Sequence, residues 1–467
     1  MTVRTVGPNS DFPTIAAAML AAGPADTIIL EAGYSNETAT IEFSGMTIRG
    51  GAGSTGIVLK LGIGIATVTL TGTAPFRLLD AMDGNGIVGN AGDNRIAVRG
   101  GVDAVDGGLG VDRLIVDYRN ATGAVTGDST SNFSEAGGGG RTVTITDGTI
   151  EHFTILTGSG ADTITTGAGN DIIKTGQGAS TVSAGQGANV ISGGANADTI
   201  TALGGGNIVH AGNGTNTVTT GGGLDRVYAG TGADTIVTGG GDDRISLRGG
   251  ADGVDAGGGD DRLIINYTAL TTDVTGGITG GNGDTGYVGQ IADTVGNSVN
   301  FQRTESFRIT TGSGSDTLTT GDGDDILRGG GGRDQFNSGA GRDVLFGDAG
   351  NDQLRGGRGT DIVTGGAGAD VFVFASVAEA STGVGRDLIL DFRAGVDRMD
   401  LANIDANANK VGNQRFDYVG SDAFSFSAGE LRYANGVVSG DIDGDGRADF
   451  AVRIGEVSAL TQGDFLL

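Results

Sequence analysis

The chain has no cysteine, no tryptophan and only two histidines, His152 and His210. Without thiols there is no disulfide, no thiolate metal site and no cysteine nucleophile. Seventeen phenylalanines and seven tyrosines in 467 residues leave no material for a large globular core, so the core must be a thin, repeated stack. Basic residues are scarce: 29 Lys and Arg stand against 56 Asp and Glu, a net charge of −27. That balance supplies no basic surface for phosphates and argues against a nucleic-acid partner. No apolar run is long enough to span a bilayer, and the N-terminal MTVRTVGPNSDF lacks the apolar stretch of a signal peptide. What is abundant is glycine, at 94 residues, and aspartate, at 47 against nine glutamates. Solubilising charge uses both acids, whereas tight turns and ligation of hard cations favour aspartate.

The glycines and aspartates are ordered. From Thr311 to Phe374 the chain repeats every nine residues, as in GDGDDILRG, GGGRDQFNS and GAGRDVLFG. The fifth position is always Asp (Asp316, Asp325, Asp334, Asp343, Asp352, Asp361, Asp370). The seventh is always large and apolar (Leu318, Leu327, Phe336, Leu345, Leu354, Val363, Phe372). Glycine early in the unit lets carbonyls converge in a tight turn, and the x-U-x triplet makes a short strand with one side chain inward. Carboxylate and carbonyl oxygens, with no nitrogen or sulfur donor, select a hard and flexibly coordinated cation, calcium before magnesium or zinc. A flexible Gly/Asp linker has no reason to keep an apolar residue at every seventh position.

This nonapeptide, G-G-x-G-x-D-x-U-x, resembles that of the repeats-in-toxin (RTX) proteins. The resemblance implies an all-β parallel β-roll in which two nonapeptides on opposite sides make one coil and Ca2+ ions lie between turns two repeats apart. One edge then carries Asp316, Asp334, Asp352 and Asp370, and the other Asp325, Asp343 and Asp361. With no disulfides, calcium serves as the crosslink.

Residues 1–88 form an N-terminal cap without the Asp nonapeptide. Thr14–Ala22, closed by Gly23, predicts a short capped helix, and Thr/Ile/Val runs between glycine turns predict short strands. ADTIILEAGYSNETATI resembles the first coils of right-handed parallel β-helix proteins such as polysaccharide lyases and epimerases. The β-roll is expected over 89–375, with its register starting at Asn90 and two interruptions, 117–150 and 266–304. Before the first interruption the fifth positions are Asn94, Asp103 and Asp112. Between the two they are Asp162, Asp171, Ser180, Asn189, Asp198, Asn207, Asn216, Asp225, Asp234, Asp243, Asp252 and Asp261. The neutral residues predict a calcium-poor section over 176–221. A longer duplication is also visible: RGGVDAVDGGLGVDRLIVDY (99–118) matches RGGADGVDAGGGDDRLIINY (248–267). The interruptions are expected to form strands or hairpins projecting from one face and are candidate partner contacts.

Residues 376–467 are mixed in pattern. RDLILDF (386–392), DRMDL (397–401), GDIDGDGRADF (440–450) and the terminal DFLL resemble the C-terminal domain of serralysin-type secreted proteins. That resemblance implies a β-rich cap carrying an uncleaved signal for type I (ABC-transporter) secretion, its last four residues being an acid and three apolars at a free end. Asp441, Asp443, Asp445 and Asp449 form a further candidate calcium loop; it departs from the EF-hand pattern, since Val452 stands where the bidentate Glu belongs.

The reading is an extracellular calcium-binding β-roll, folding on calcium after secretion and acting without catalysis as a matrix, surface-layer or adhesive element. Cell-surface polysaccharide and a second copy are its candidate partners. The alternative is a polysaccharide lyase or epimerase using the N-terminal coils. No H-E-x-x-H is present, and two isolated histidines make neither a zinc site nor a Ser-His-Asp triad. A third option is an ice- or polysaccharide-binding face of outward threonines at positions 163, 165, 166, 217, 219, 220, 317, 319 and 320, which ordinary β-propensity also explains.

Overall fold

In a computed structural model that describes every residue except 138, 384 and 456, the chain divides into two compact units, Met1–Gly230 and Thr231–Leu467. Each is a parallel solenoid of two facing sheets.

The N-terminal unit begins with the strand Val3–Val6 and the helix Ile15–Leu20. Thr14 caps the helix by accepting from the Ala17 N–H at 3.1 Å, and Glu37 takes the N–H groups of Ile15 and Ala16 at 2.8 and 3.0 Å. Its apolar side buries Ile15, Ala18 and Met19 against the first coils. The coils are not yet nonapeptide pairs. Thr27 lies beside Thr47, Met46 beside Val68 and Thr67 beside Gly86, steps of 20, 22 and 19 residues. From Gly86 and Ala104 onward the step is 18, two nonapeptides. The extra residues sit in turns, which is why no ninefold period is visible there. Strand pairing runs through residue 88 without a break.

Once the step is 18, each coil presents a strand of three to five residues to each sheet. Thr163–Thr165, Thr181–Ser183, Thr199–Ala202 and Thr217–Thr220 stack in the first sheet. His152–Leu156, Ile172–Lys174, Val190–Ser192, Ile208–Gly212 and Arg226–Ala229 stack in the second. The seventh-position residues between them, such as Ile164, Ile173, Val182 and Ile191, are at most 1% exposed. The rest of the core is the buried ninth position, a smaller residue in most units, such as Thr175, Ala184, Ala202 and Ala211.

The first interruption does not project from the face. Its strands Val125–Asp128, Asn132–Glu135 and Thr142–Ile145 form an antiparallel meander inside the first sheet, between Val102–Gly108 and Thr163–Thr165. The second sheet meanwhile steps directly from Arg113–Asp117 to His152–Leu156.

The C-terminal unit repeats this plan. Val274–Asn282, Gly286–Asp293 and Ser298–Thr304 form a longer meander between Ala251–Asp255 and Thr317–Thr319, while Arg262–Asn266 pairs directly with Ser306–Thr310. Tyr118 and Tyr267 are fully buried at matching places, and their N–H groups donate to Leu156 O and Thr310 O. The duplication seen in the sequence is therefore a duplication of this widened coil. Beyond the repeats, both sheets continue. Arg398–Asp400 adds to Val371–Val373, Phe465–Leu466 adds to it in turn, and Leu388–Ile389 and Phe450–Ile454 extend the other sheet. The last residues are thus not a free end: Asp464 is buried and accepts from the Thr461 and Gly395 N–H groups.

Candidate metal centre

The fifth-position side chains of both units turn inward at the sheet edges, and all are at most 2% exposed. Each uses one oxygen to hold the coil before it. In the C-terminal unit, Asp316 N donates to Asp334 Oδ1 at 2.8 Å, Asp334 N to Asp352 Oδ1 at 2.9 Å, and Asp352 N to Asp370 Oδ1 at 3.0 Å. The opposite edge repeats this from Asp325 to Asp343 (2.8 Å) and from Asp343 to Asp361 (3.0 Å). The two sets of aspartates expected on separate edges are on separate edges. Asp234 N bonds Asp252 Oδ1 and Asp243 N bonds Asp261 Oδ1, at 2.9 and 2.8 Å. In the N-terminal unit Asp103 and Asp112 hold the N–H groups of Asn85 and Asn94, Asp162 that of Val125, Asp171 that of Phe153, Asp198 that of Ser180 and Asp225 that of Asn207.

The second oxygen carries the chemistry. The Oδ2 atoms of Asp103, Asp112, Asp198, Asp252, Asp261, Asp334, Asp352 and Asp361 are buried without a hydrogen-bond partner among the described residues. A buried carboxylate oxygen left this way costs about 1–3 kcal/mol or more. Space is reserved beside them: a Cβ added at Gly329, Gly347 or Gly356 would collide with Oδ2 of Asp334, Asp352 or Asp361. The carbonyl oxygens of Gly347 and Gly365 border the first two of these gaps. A row of carboxylate and carbonyl oxygens, around room that glycine leaves, fits a hard divalent cation. Burial pushes Asp334 and Asp361 up to about 7 and Asp352 to about 6. It raises Asp103, Asp112, Asp252 and Asp261 to about 7 as well, which is the electrostatic demand a cation would relieve.

Where the fifth residue is Asn, the same turn closes differently. Asn189 keeps the ladder by accepting from Asp171 N at 3.0 Å, and its amide donates to Gly187 O at 3.2 Å. Asn207 does likewise toward Gly204 O (2.6 Å) and Ala202 O (3.1 Å), and Asn216 toward Gly214 O (3.1 Å). Asn94 donates to Gly92 O at 2.6 Å. The amide NH2 stands where the aspartate has its second oxygen and donates to the turn carbonyls itself.

Four further residues belong to the ladders. Glu151 and Glu305, the first residues after the interruptions, accept from Asp112 N (2.6 Å) and Asp261 N (2.8 Å), the longer side chain bridging a shifted register. Asp387 and Asp397 accept from Asp361 N (2.9 Å) and Asp370 N (3.1 Å), continuing both edges past the last nonapeptide. The signal for all four was the short acid-x-apolar triplet, Glu151-His152-Phe153, Glu305-Ser306-Phe307, Asp387-Leu388-Ile389 and Asp397-Arg398-Met399, at spacings other than nine. At the end of one row Arg393 reaches within 3.7 Å of Asp370 Oδ2 and 3.1 Å of Asp397, a cation supplied by the chain itself.

In the acidic loop near the C-terminus, oxygens of Asp441, Asp443 and Asp449 lie within 4.8 Å of one another, and Asp445 stands outside the group. Asp441 is buried, and both its oxygens accept backbone N–H groups, from Gly444 at 2.7 Å and Gly446 at 2.9 Å. The proposed threonine face needs correction: Thr166, Thr220 and Thr320 are buried at strand ends, and Thr166 and Thr320 donate to carbonyls of the neighbouring coil. His152 accepts from Asn170 N at 2.9 Å through Nδ1, and His210 is exposed with its ring stacked on Tyr228.

A family model described as the RTX calcium-binding nonapeptide repeat (4 copies) matches residues 83–114, 154–182, 175–209, 183–218, 201–236, 228–263, 310–345 and 337–372. The unmatched gaps between these segments are the two meanders. No curated protein matches the chain. Among solved structures, the solution structure of the AlgE6R3 subunit from the Azotobacter vinelandii mannuronan C5-epimerase is similar. It is 31% identical over 31% of this chain and 78% of that chain, with a TM-score of 0.23.

Proposed function

Across residues 83–372 this chain belongs to the RTX calcium-binding nonapeptide-repeat family, and from that premise we propose that it is a secreted β-roll whose folding is driven by many calcium ions and whose role is non-enzymatic. The carrying observation is the pair of buried carboxylate rows, each with an unpartnered Oδ2 facing a glycine-lined gap. On this reading the ligands are the fifth-position aspartates whose second oxygen faces such space, with Asp334, Asp352 and Asp361 the best formed. The loop of Asp441, Asp443 and Asp449 is a separate candidate site.

The rows explain how export and folding are linked. Carboxylates on neighbouring coils lie about 5 Å apart and repel. A glycine-rich chain has little apolar burial to offset its conformational entropy. Each ion bound only by the folded chain adds about 1.4 kcal/mol per tenfold excess over its Kd. Extracellular-type sites, with Kd on the order of 10⁻⁴–10⁻³ M, are empty in the cytosol and filled outside. A type I transporter would then pass an unfolded chain, and the C-terminal region is the candidate signal. Outside the cell the roll would serve as a matrix, surface-layer or adhesive element.

Circular dichroism at pH 8 in chelator and in millimolar calcium tests the folding step: the full β spectrum is expected only with calcium, and a fully folded spectrum in chelator would sink the reading. Turnover of alginate or pectin by the purified chain would promote the lyase or epimerase alternative instead.

A further inference from the structure

One face of the N-terminal unit runs against the charge of the whole chain. Outward residues of the second sheet, over the eight strands from Phe76–Leu79 to Arg226–Ala229, form columns along the axis. Arg77, Arg95, Arg113 and His152 make the first, each directly beside the next on adjacent strands. Next to it runs an aliphatic column that includes Leu79, Ile115, Ile172, Val190 and Ile208. On its far side lie Lys174, Ser192, His210 and Tyr228. Both histidines of the chain are here. Among the described residues of these strands the single outward carboxylate is Asp117, and it is held by Arg119 at 2.7 Å with Arg99 at 4.0 Å.

Like charges side by side on neighbouring strands destabilise a sheet. Arg77 and Arg95 are exposed and take part in no ion pair among the described residues. Arg113 is aimed by bonds to Phe153 O (3.1 Å), Thr154 Oγ1 (3.2 Å) and Asn170 O (3.2 Å), which leave only part of its fork free. The C-terminal unit has the same feature in Arg244 beside Arg262, with Ser246 and Ile264 next to them. In a chain of net charge −27, a row of guanidiniums in which Arg77 and Arg95 make no ion pair among the described residues, and only Arg113 feels a carboxylate, the buried Asp171, is organised for an anion that comes from outside. The mostly aliphatic floor, with buried Ala97 and the polar Thr154 in its course, extends over about 29 Å, six strand spacings, which suits an extended polymer. Nucleic acid fits poorly, because its bases need aromatic platforms and the ring of Tyr228 is already stacked at 4.7 Å on His210.

We propose that this face binds a polyuronate, a polysaccharide with a carboxylate on each sugar, lying along the roll axis. Its carboxylates meet the forks of Arg77 and Arg95 and the remaining N–H groups of Arg113, and its ring faces rest on the aliphatic column. The proposal names the partner for the adhesive reading above and rests on that reading for its setting.

The test titrates the full-length, calcium-saturated chain with a fluorescent oligogalacturonate at fixed free calcium, following anisotropy at low and high salt. Arg77→Gln with Arg95→Gln is expected to weaken binding about tenfold, roughly threefold for each exposed pair lost. Arg342→Gln with Arg358→Gln, two exposed arginines of the C-terminal unit, should change it less than about twofold. Unchanged binding by the first variant, equal loss in the second, or equally tight binding of oligo-dT would each overturn the proposal. A dimer that the first variant abolishes without any sugar would instead assign the face to self-association and overturn it too. Circular dichroism of every variant in calcium separates this failure from failure of calcium-driven folding.

Discussion

Two turns of the same roll show what one atom decides. At Asp334 the fifth residue holds Asp316 N and leaves a second oxygen buried beside a gap at Gly329. At Asn189 the fifth residue holds Asp171 N in the same way, but an NH2 group stands where the second oxygen was and donates to Gly187 O. The first turn leaves a buried oxygen without a partner, and the second donates to its own carbonyl. The ladder bond and the burial are alike in both, so the shape of the turn does not depend on whether Asp or Asn stands at the fifth place.

Chelation should break the comparison open most widely. In hydrogen exchange with chelator, amides of 311–374 are expected to lose at least a hundredfold of protection, about 2.7 kcal/mol, while those of 186–218 lose far less. Uniform loss would mean that the Asn turns gain their order only from calcium-loaded neighbours. A second effect comes from converting one turn type into the other. Asp334→Asn with Asp352→Asn should lower the number of calcium ions bound yet preserve the β spectrum, whereas Asp334→Ala with Asp352→Ala should abolish both. The alanines leave the N–H groups of Asp316 and Asp334 buried without acceptors, at about 1–3 kcal/mol each.

Acid should imitate the amide. The carboxyls of Asp334 and Asp361 are raised from 3.8 to about 7 by burial, so their protonated form is the one the metal-free fold favours. A raised folded-state value gives stability that is full below pH 4 and is lost as pH climbs through about 7. In chelator, the β signal of the whole chain should therefore grow from pH 8 down to pH 5; a flat profile would show that the rows stay charged. With calcium the trend reverses, because protons compete for the same oxygens. The smallest effect sharpens the site itself: Gly329→Ala should weaken calcium binding at that turn by about 1–3 kcal/mol with little change elsewhere. Gly329 is not among the positive-φ glycines, so the change tests the gap and not backbone strain.

The sequence made the repeat legible because both of its demands are local. An aspartate at the fifth place and an apolar side chain at the seventh suffice for a turn and a three-residue strand, and their spacing of nine gives the coil of 18. The sorting of Asp316, Asp334 and Asp352 to one edge and Asp325, Asp343 and Asp361 to the other followed from the same count. The ladder members Glu151, Glu305, Asp387 and Asp397 were hidden, since their place depends on loops of other lengths bringing an acid-x-apolar triplet into line. The burial of Thr166 and Thr320 was hidden for a related reason: outward alternation stops where the strand bends into the turn.

Composition and period by themselves determined a calcium-binding solenoid with a thin aliphatic core and a neutral stretch in its middle. Only the tertiary structure decided that the interruptions lie in one sheet as meanders, that asparagine amides satisfy the turn carbonyls, and that Arg77, Arg95 and Arg113 stand in one row. The first and third depend on which residues become neighbours 18 to 47 positions apart, and the second on the fold of a single turn, which brings the Asn189 amide to Gly187 O. A period read along the chain records what each turn requires, while stacking of the coils sets what each turn meets.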